Sequence, residues 1–194
     1  MRDAQDPPED AFIEALSGED ELGVVVRAHI HVEAILQQLL DLFVSNPKHL
    51  EKMDLDFAQR VHLAVAIGLK EEYASPLLSL GTLRNAFAHR LDTTLTEGRV
   101  NNLYDTLSGN AKTKVHAAYE RTKQQMNRTG PSFSKLGPKE RFILISVVLR
   151  AVLLIAVRHA AQALGSEHPQ SLEKSRHTGC RDPRPTAGPE GEPE

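Results

Sequence analysis

The residues best suited to chemistry stand in one eight-residue run, Leu83-Arg84-Asn85-Ala86-Phe87-Ala88-His89-Arg90. A histidine can move a proton in either direction near neutral pH. An arginine can hold developing negative charge with its forked donors. On a helix, Asn85 and His89 are four apart and stack on one face. Arg84 lies five positions before His89, roughly 140° round the cylinder, so it meets that imidazole only by bending its long side chain or from a second protomer. The apolar seam of the same segment, Leu77, Leu80, Leu83 and Phe87, leaves the polar set on the flank of the core, where a cleft can form. The same residue types also suit a scaffold role. Hydrogen bonds to the carbonyls of a neighbouring loop would hold the bundle closed, and a buried Asn85 or His89 needs such partners.

Other chemistries find little support. A single cysteine, Cys180, excludes a disulfide framework and a Cys-rich zinc site, and it falls in a tail expected to be disordered, where nothing would hold a base against its thiol. His29 and His31 are two apart on a helix and point to nearly opposite sides. His29 and Glu33 are four apart and share a face, but two ligands do not make a metal site. His62, His116 and His159 read as ordinary surface or core-edge residues. With no phosphate-cradling Gly loop and no Gly-x-Ser-x-Gly elbow, the sequence predicts neither a metal nor a cofactor.

The elements that must position the cluster all read as helices. A short helix over residues 10–16 ends at Ser17-Gly18. Residues 19–44 carry apolar side chains at 25, 28, 32, 35, 36, 39 and 43, a helical stripe closed by Asn46-Pro47. Asp54 is the expected cap of a helix running to Gly68, with Phe57, Val61, Ala64 and Val65 inward. Ser75-Pro76 reads as N-cap and first turn of the helix that carries the cluster to about Arg90. Helices over residues 99–107 and 112–127 follow. Pro138 opens a strongly apolar helix to Leu164, closed by Gly165. No alternating β-branched run with hairpin turns interrupts the series. The fold class is therefore an all-α bundle over residues 9–164, flanked by a disordered acidic N-terminus, residues 1–8, and a disordered Pro/Gly-rich tail, residues 165–194.

At 194 residues the chain can bury a substantial core, and its net charge of −3 conceals an asymmetry. Residues 1–22 sum to −7 and residues 166–194 to −2, which leaves +6 on residues 23–165. Basicity is sharpest over residues 111–141, where Lys112, Lys114, Arg121, Lys123, Arg128, Lys135, Lys139 and Arg141 face only Glu120 and Glu140. Such a patch can attract phosphates, or be a solvated helix face. Aromatic residues are only 5% and tryptophan is absent, which argues against stacking platforms for single-stranded nucleic acid. The N-terminus has no apolar signal-peptide core. The longest apolar run, residues 142–157, is broken by Arg150 and short for a bilayer, so a cytoplasmic protein with no membrane association is expected. The last helix has Leu144, Val147, Val148, Leu153, Leu154 and Ala156 spread around it, which predicts a homodimer.

The segment Arg-Asn-x-x-x-His resembles the Arg-x(4–6)-His motif of the HEPN superfamily. A longer stretch, roughly residues 19–164, resembles the mannitol operon repressor family. It comprises Val32-Glu-Ala-Ile-Leu, Phe57-Ala with Ala64-Val-Ala-Ile-Gly-Leu69, the run from Leu80 to His89, residues 95–107, and Arg141-Phe142. The resemblance implies an all-α, usually dimeric domain and two different functions. Repressor-type members are regulators of a sugar-alcohol operon that act through a regulatory protein partner. This chain likewise shows no helix-turn-helix with a polar reading helix, so direct DNA reading is not evident. HEPN ribonucleases cut RNA without a metal, the ribose 2′-OH attacking the neighbouring phosphate. On that reading His89 would be the general acid/base, Arg84 the phosphate clamp, Asn85 the residue orienting His89, and Glu33 the acid that fixes Arg84.

Overall fold

The computed structural model describes residues 8–89, 93–125 and 130–166. Except for Pro8, Gly165 and Ser166, the two segments expected to be disordered lie outside the described residues, as does Arg128 of the basic run. The chain divides into a unit up to Ala161 and a second, Gln162–Glu194, of which the end of the last helix is the described part.

Every regular element among the described residues is helical: α1 (Glu9–Ser17), α2 (Glu21–Phe43), α3 (Pro47–Lys52), α4 (Phe57–Ala66), α5 (Ala74–His89), α6 (Glu97–Asp105), α7 (Gly109–Gln125) and α8 (Pro138–Ser166), with short 3-10 turns at Glu71–Tyr73 and Phe133–Lys135. The starts follow from local polar chemistry. The Asp20 carboxylate accepts from the Gly23 amide at 2.6 Å and caps α2. Asp56 and Gln59 form a reciprocal capping box on α4 at 2.8 and 2.9 Å. Thr96 caps α6, and the Ser108 hydroxyl accepts from the Ala111 amide at the start of α7.

Several expected boundaries shift for identifiable reasons. Asn46-Pro47 does end α2, but Pro47 also opens α3, since a proline's missing N–H costs nothing in a first turn. Asp54 is not the cap of α4: it sits at φ 50° in the tight turn after α3, and Asp56 takes the capping role. Ser75 is not an N-cap either, because the 3-10 turn at Glu71–Tyr73 feeds directly into α5 and places Ser75-Pro76 inside its first turn. Gly165 does not close α8, which continues to Ser166.

α2, α4 and α5 pack against one another. Phe57 and Arg60 of α4 lie against His29 and Glu33 of α2, so these two helices run alongside in the same sense. α5 returns the other way, and the amide of Leu95, beyond its end, donates to Glu21 at the start of α2 at 2.7 Å.

α8 is the central element. All nine residues from Phe142 to Arg150 are buried, so the helix is enclosed on every side over two and a half turns. The Lys139 ammonium donates to the carbonyls of Ser17 and Glu19 at 2.9 and 2.5 Å, tying its first turn to the C-terminal end of α1. The Arg150 guanidinium lies 4.8 Å from the Phe12 ring centroid of α1. By length and composition Pro138–Gly165 could cross a bilayer, contrary to the expectation from its interrupted run, yet 61% of its apolar window is buried inside the fold. This burial also accounts for the apolar side chains on which the homodimer expectation rested. Leu144, Val147, Val148 and Leu153 lie in the core and Leu154 and Ala156 pack against it.

Candidate functional site

α5 presents its apolar seam inward and its polar flank outward. Leu77, Leu80, Leu83 and Phe87 are buried, Arg84 is half-buried, and Asn85 and His89 are exposed. That exposure removes the need for partners on which the scaffold role rested. His89 stands in the last turn of α5.

The structure brings some of the expected site together and leaves some apart. The Arg84 Nη1 donates to Asn85 Oδ1 at 2.9 Å, so Asn85 is engaged with Arg84 rather than oriented against His89. Glu33 is engaged by a different arginine: Arg60 Nη1 donates to Glu33 Oε1 at 2.9 Å across α4 and α2. The Arg60–Glu33 pair is partly exposed and contributes little net stability, but it fixes where the carboxylate points.

His29 completes the cluster from beneath. It is 2% exposed, its ring lies 4.3 Å from that of Phe57, and its Nδ1 is 3.6 Å from Glu33 Oε2, too far for a hydrogen bond. Phe57 can lie here because Gly81 leaves room: a Cβ at that position would fall 2.7 Å from the Phe57 ring. Burial pushes the His29 imidazole below its ordinary value; Glu33 opposes this and the Arg84 guanidinium adds to it. Arg84, Glu33 and His29 are thus electrostatically joined across α5 and α2. Arg60 escaped sequence reasoning because it pairs with a residue 27 positions away on another helix. The spacing of His29 and Glu33 was visible, but not that the ring is buried between helices.

A pH effect follows. The folded chain holds His29 neutral at pH values where the unfolded chain binds a proton, so stability is full above about pH 6.5 and falls as pH drops below it. His29→Leu should flatten this part of the profile, by at most about 1.4 kcal/mol per pH unit. Urea midpoints at pH 7.5 and 5.0 for both proteins measure it, and equal slopes would show that His29 is protonated in the folded state.

No group of three or more potential metal ligands exists among the described residues. The cations of the basic run are largely engaged within the fold. Lys139 holds the end of α1, Lys114 donates to the Tyr73 hydroxyl at 3.2 Å, Lys123 pairs with Glu120 at 2.6 Å, Lys112 lies 3.9 Å from Asp105, and Arg141 binds Asn101 at 2.6 Å.

α2 also carries a partly exposed apolar stripe. Leu22 is 48% and Ile30 58% exposed, with half-buried Val26 between them at helical spacing. Ile30 and Glu33 are three apart and share a face. Compared with known proteins, the chain matches no family model, no curated protein and no solved structure.

Proposed function

We propose that this chain is a regulatory binding protein with a HEPN-like bundle of the mannitol operon repressor type, acting on transcription through a protein partner rather than by reading DNA. The observation that carries the reading is the surface formed by α2 and the end of α5. There Leu22 and Ile30 are exposed, Ile30 shares a face of α2 with Glu33, Arg60 holds Glu33, and Arg84 bonds Asn85 on α5. An apolar centre with an arginine-bearing polar rim is the make-up of protein-binding surfaces. A homodimer is proposed as well, and the site of action is proposed to be the cytoplasm.

A second reading is a metal-independent endoribonuclease, in the manner of toxins of the superfamily. It is favoured by the exposure of His89 and the accessibility of Arg84 on one helix. The engagement of Lys139, Lys114 and Lys123 within the fold weighs against it, since it leaves fewer cations for an RNA backbone.

The test is affinity capture with full-length wild type and with Ile30→Lys, with light scattering of both. The proposal expects a specific protein retained by wild type, lost by at least tenfold with Ile30→Lys, and a mass of twice 21.4 kDa for the wild type. A monomer that retains the same proteins with or without the substitution would contradict it. Cleavage of single-stranded RNA in EDTA would favour the second reading.

A further inference from the structure

A second concavity, lined by none of these residues, lies between α6, α7, the Phe133 turn and the first turn of α8. Its volume is about 440 Å3 and its lining is Asn101, Tyr104, His116, Ser132–Ser134 and Arg141, within the usual size for small-molecule sites. Phe133 forms the floor at 7% exposure. The Tyr104 and His116 rings pack against it with centroids at 5.6 and 4.6 Å. The Tyr104 hydroxyl and His116 Nε2 are 2.9 Å apart.

Arg141 supplies the charge. Its guanidinium carbon is 5.5 Å from the Phe133 ring centroid, which holds the group against the floor. Its Nη2 donates to Asn101 Oδ1 at 2.6 Å, while its Nε is buried with no partner. The Nε is enclosed, so a ligand in the concavity meets the guanidinium charge at its terminal nitrogens. The Lys112 ammonium, 5.0 Å from the Tyr104 ring centroid, adds positive charge at the edge, with Asp105 near it. Burial pushes the Tyr104 hydroxyl up from its ordinary value, with Arg141 opposing, so at neutral pH it remains an O–H.

We propose that this pocket binds a nucleoside monophosphate as a free ligand. The phosphate sits on Arg141 with the hydroxyls of Ser132 and Ser134, which bond each other at 3.1 Å in its absence, and the base lies against the exposed His116 ring beside Tyr104. Both halves of the ligand are required by the lining. A bare phosphate leaves the aromatic wall and most of the volume unfilled, and an uncharged ring leaves the positive charge of Arg141 without a counter-charge. No residue of the α2–α5 surface takes part, so the proposal stands apart from the one above.

Titration calorimetry of the full chain at low ionic strength, where exposed charges are least screened, tests it with adenosine 5′-monophosphate, ribose 5-phosphate and adenosine as separate probes. The monophosphate should bind at least tenfold more tightly than either of the others. Arg141→Met should bring it down to the level of adenosine and leave adenosine unchanged. His116→Ala, at an exposed position, should weaken the monophosphate several-fold without affecting ribose 5-phosphate. Absence of monophosphate binding at millimolar concentration would overturn the proposal. So would ribose 5-phosphate binding equally well, or unchanged binding in Arg141→Met. If Arg141→Met does not fold, His116→Ala decides, and unaltered monophosphate affinity in it overturns the proposal.

Discussion

Replacing Phe142 with alanine should lower the unfolding free energy by about 3–5 kcal/mol, the range for a large aromatic side chain removed from a closed core. Phe142 is fully buried and opens the nine-residue stretch of α8 that is enclosed on all sides. Its neighbours in the chain cannot close over the space without moving Lys139 and Arg141, which tie the same turn to α1 and α6. Domains of this kind hold only about 5–15 kcal/mol in total, so the variant should unfold at a small fraction of the wild-type denaturant midpoint or populate the unfolded state without denaturant. Ile155→Ala supplies the contrast on the same helix: Ile155 is 41% exposed, and its truncation should cost well under half as much. Urea denaturation followed by circular dichroism measures both. If Phe142→Ala lies within about 1 kcal/mol of wild type, α8 is not the element around which the bundle is built.

The helices that sequence periodicity revealed most clearly are those whose burial is one-sided or complete over many turns. Of the α2 stripe at 25, 28, 32, 35, 36, 39 and 43, all but the last are buried; Phe43, at the end of the helix, is 43% exposed. α8 was legible from sheer apolarity. What periodicity alone cannot say is whether such a helix faces its own core or a second copy, and here its own core takes most of it. Short elements were harder. α3 is a six-residue helix, less than two turns, and carries too few apolar positions for a period to register. Two aspartates stand before α4, and the pair Asp56 with Gln59 three residues later is the one that matches a capping box. Asp54 instead occupies a left-handed turn.

The candidate site divides along the same line. Arg84, Asn85 and His89 were legible because all three lie on one helix, and their placement on its outer flank follows from the inward seam. The partner of Glu33 was not, because it depends on how α4 lies along α2. The pocket at Arg141 was likewise hidden, since its lining comes from four segments between Asn101 and Arg141 that no local spacing connects.

Arg84 and His89 should matter for function and hardly at all for stability. Their side chains cap nothing in the core: Arg84 bonds the exposed Asn85, and His89 is itself exposed. If the chain cuts RNA, His89→Ala should lower the rate by about 10² to 10⁴, the usual loss for a proton-transfer group, and Arg84→Ala should remove the guanidinium fork that no other side chain reproduces. If it acts by binding, the same substitutions should release the partner captured by the wild type. Both outcomes share one requirement, that the polar flank of α5 is not part of the scaffold. The thermal midpoint of the double variant Arg84→Ala/His89→Ala tests that requirement directly. The account predicts a midpoint within about 2 °C of wild type, as expected when less than about 1 kcal/mol is lost from a domain of this size. A fall of about 5 °C or more, corresponding to the 1–3 kcal/mol of buried hydrogen-bonding groups left unpaired, would contradict it and return Arg84 and His89 to the scaffold.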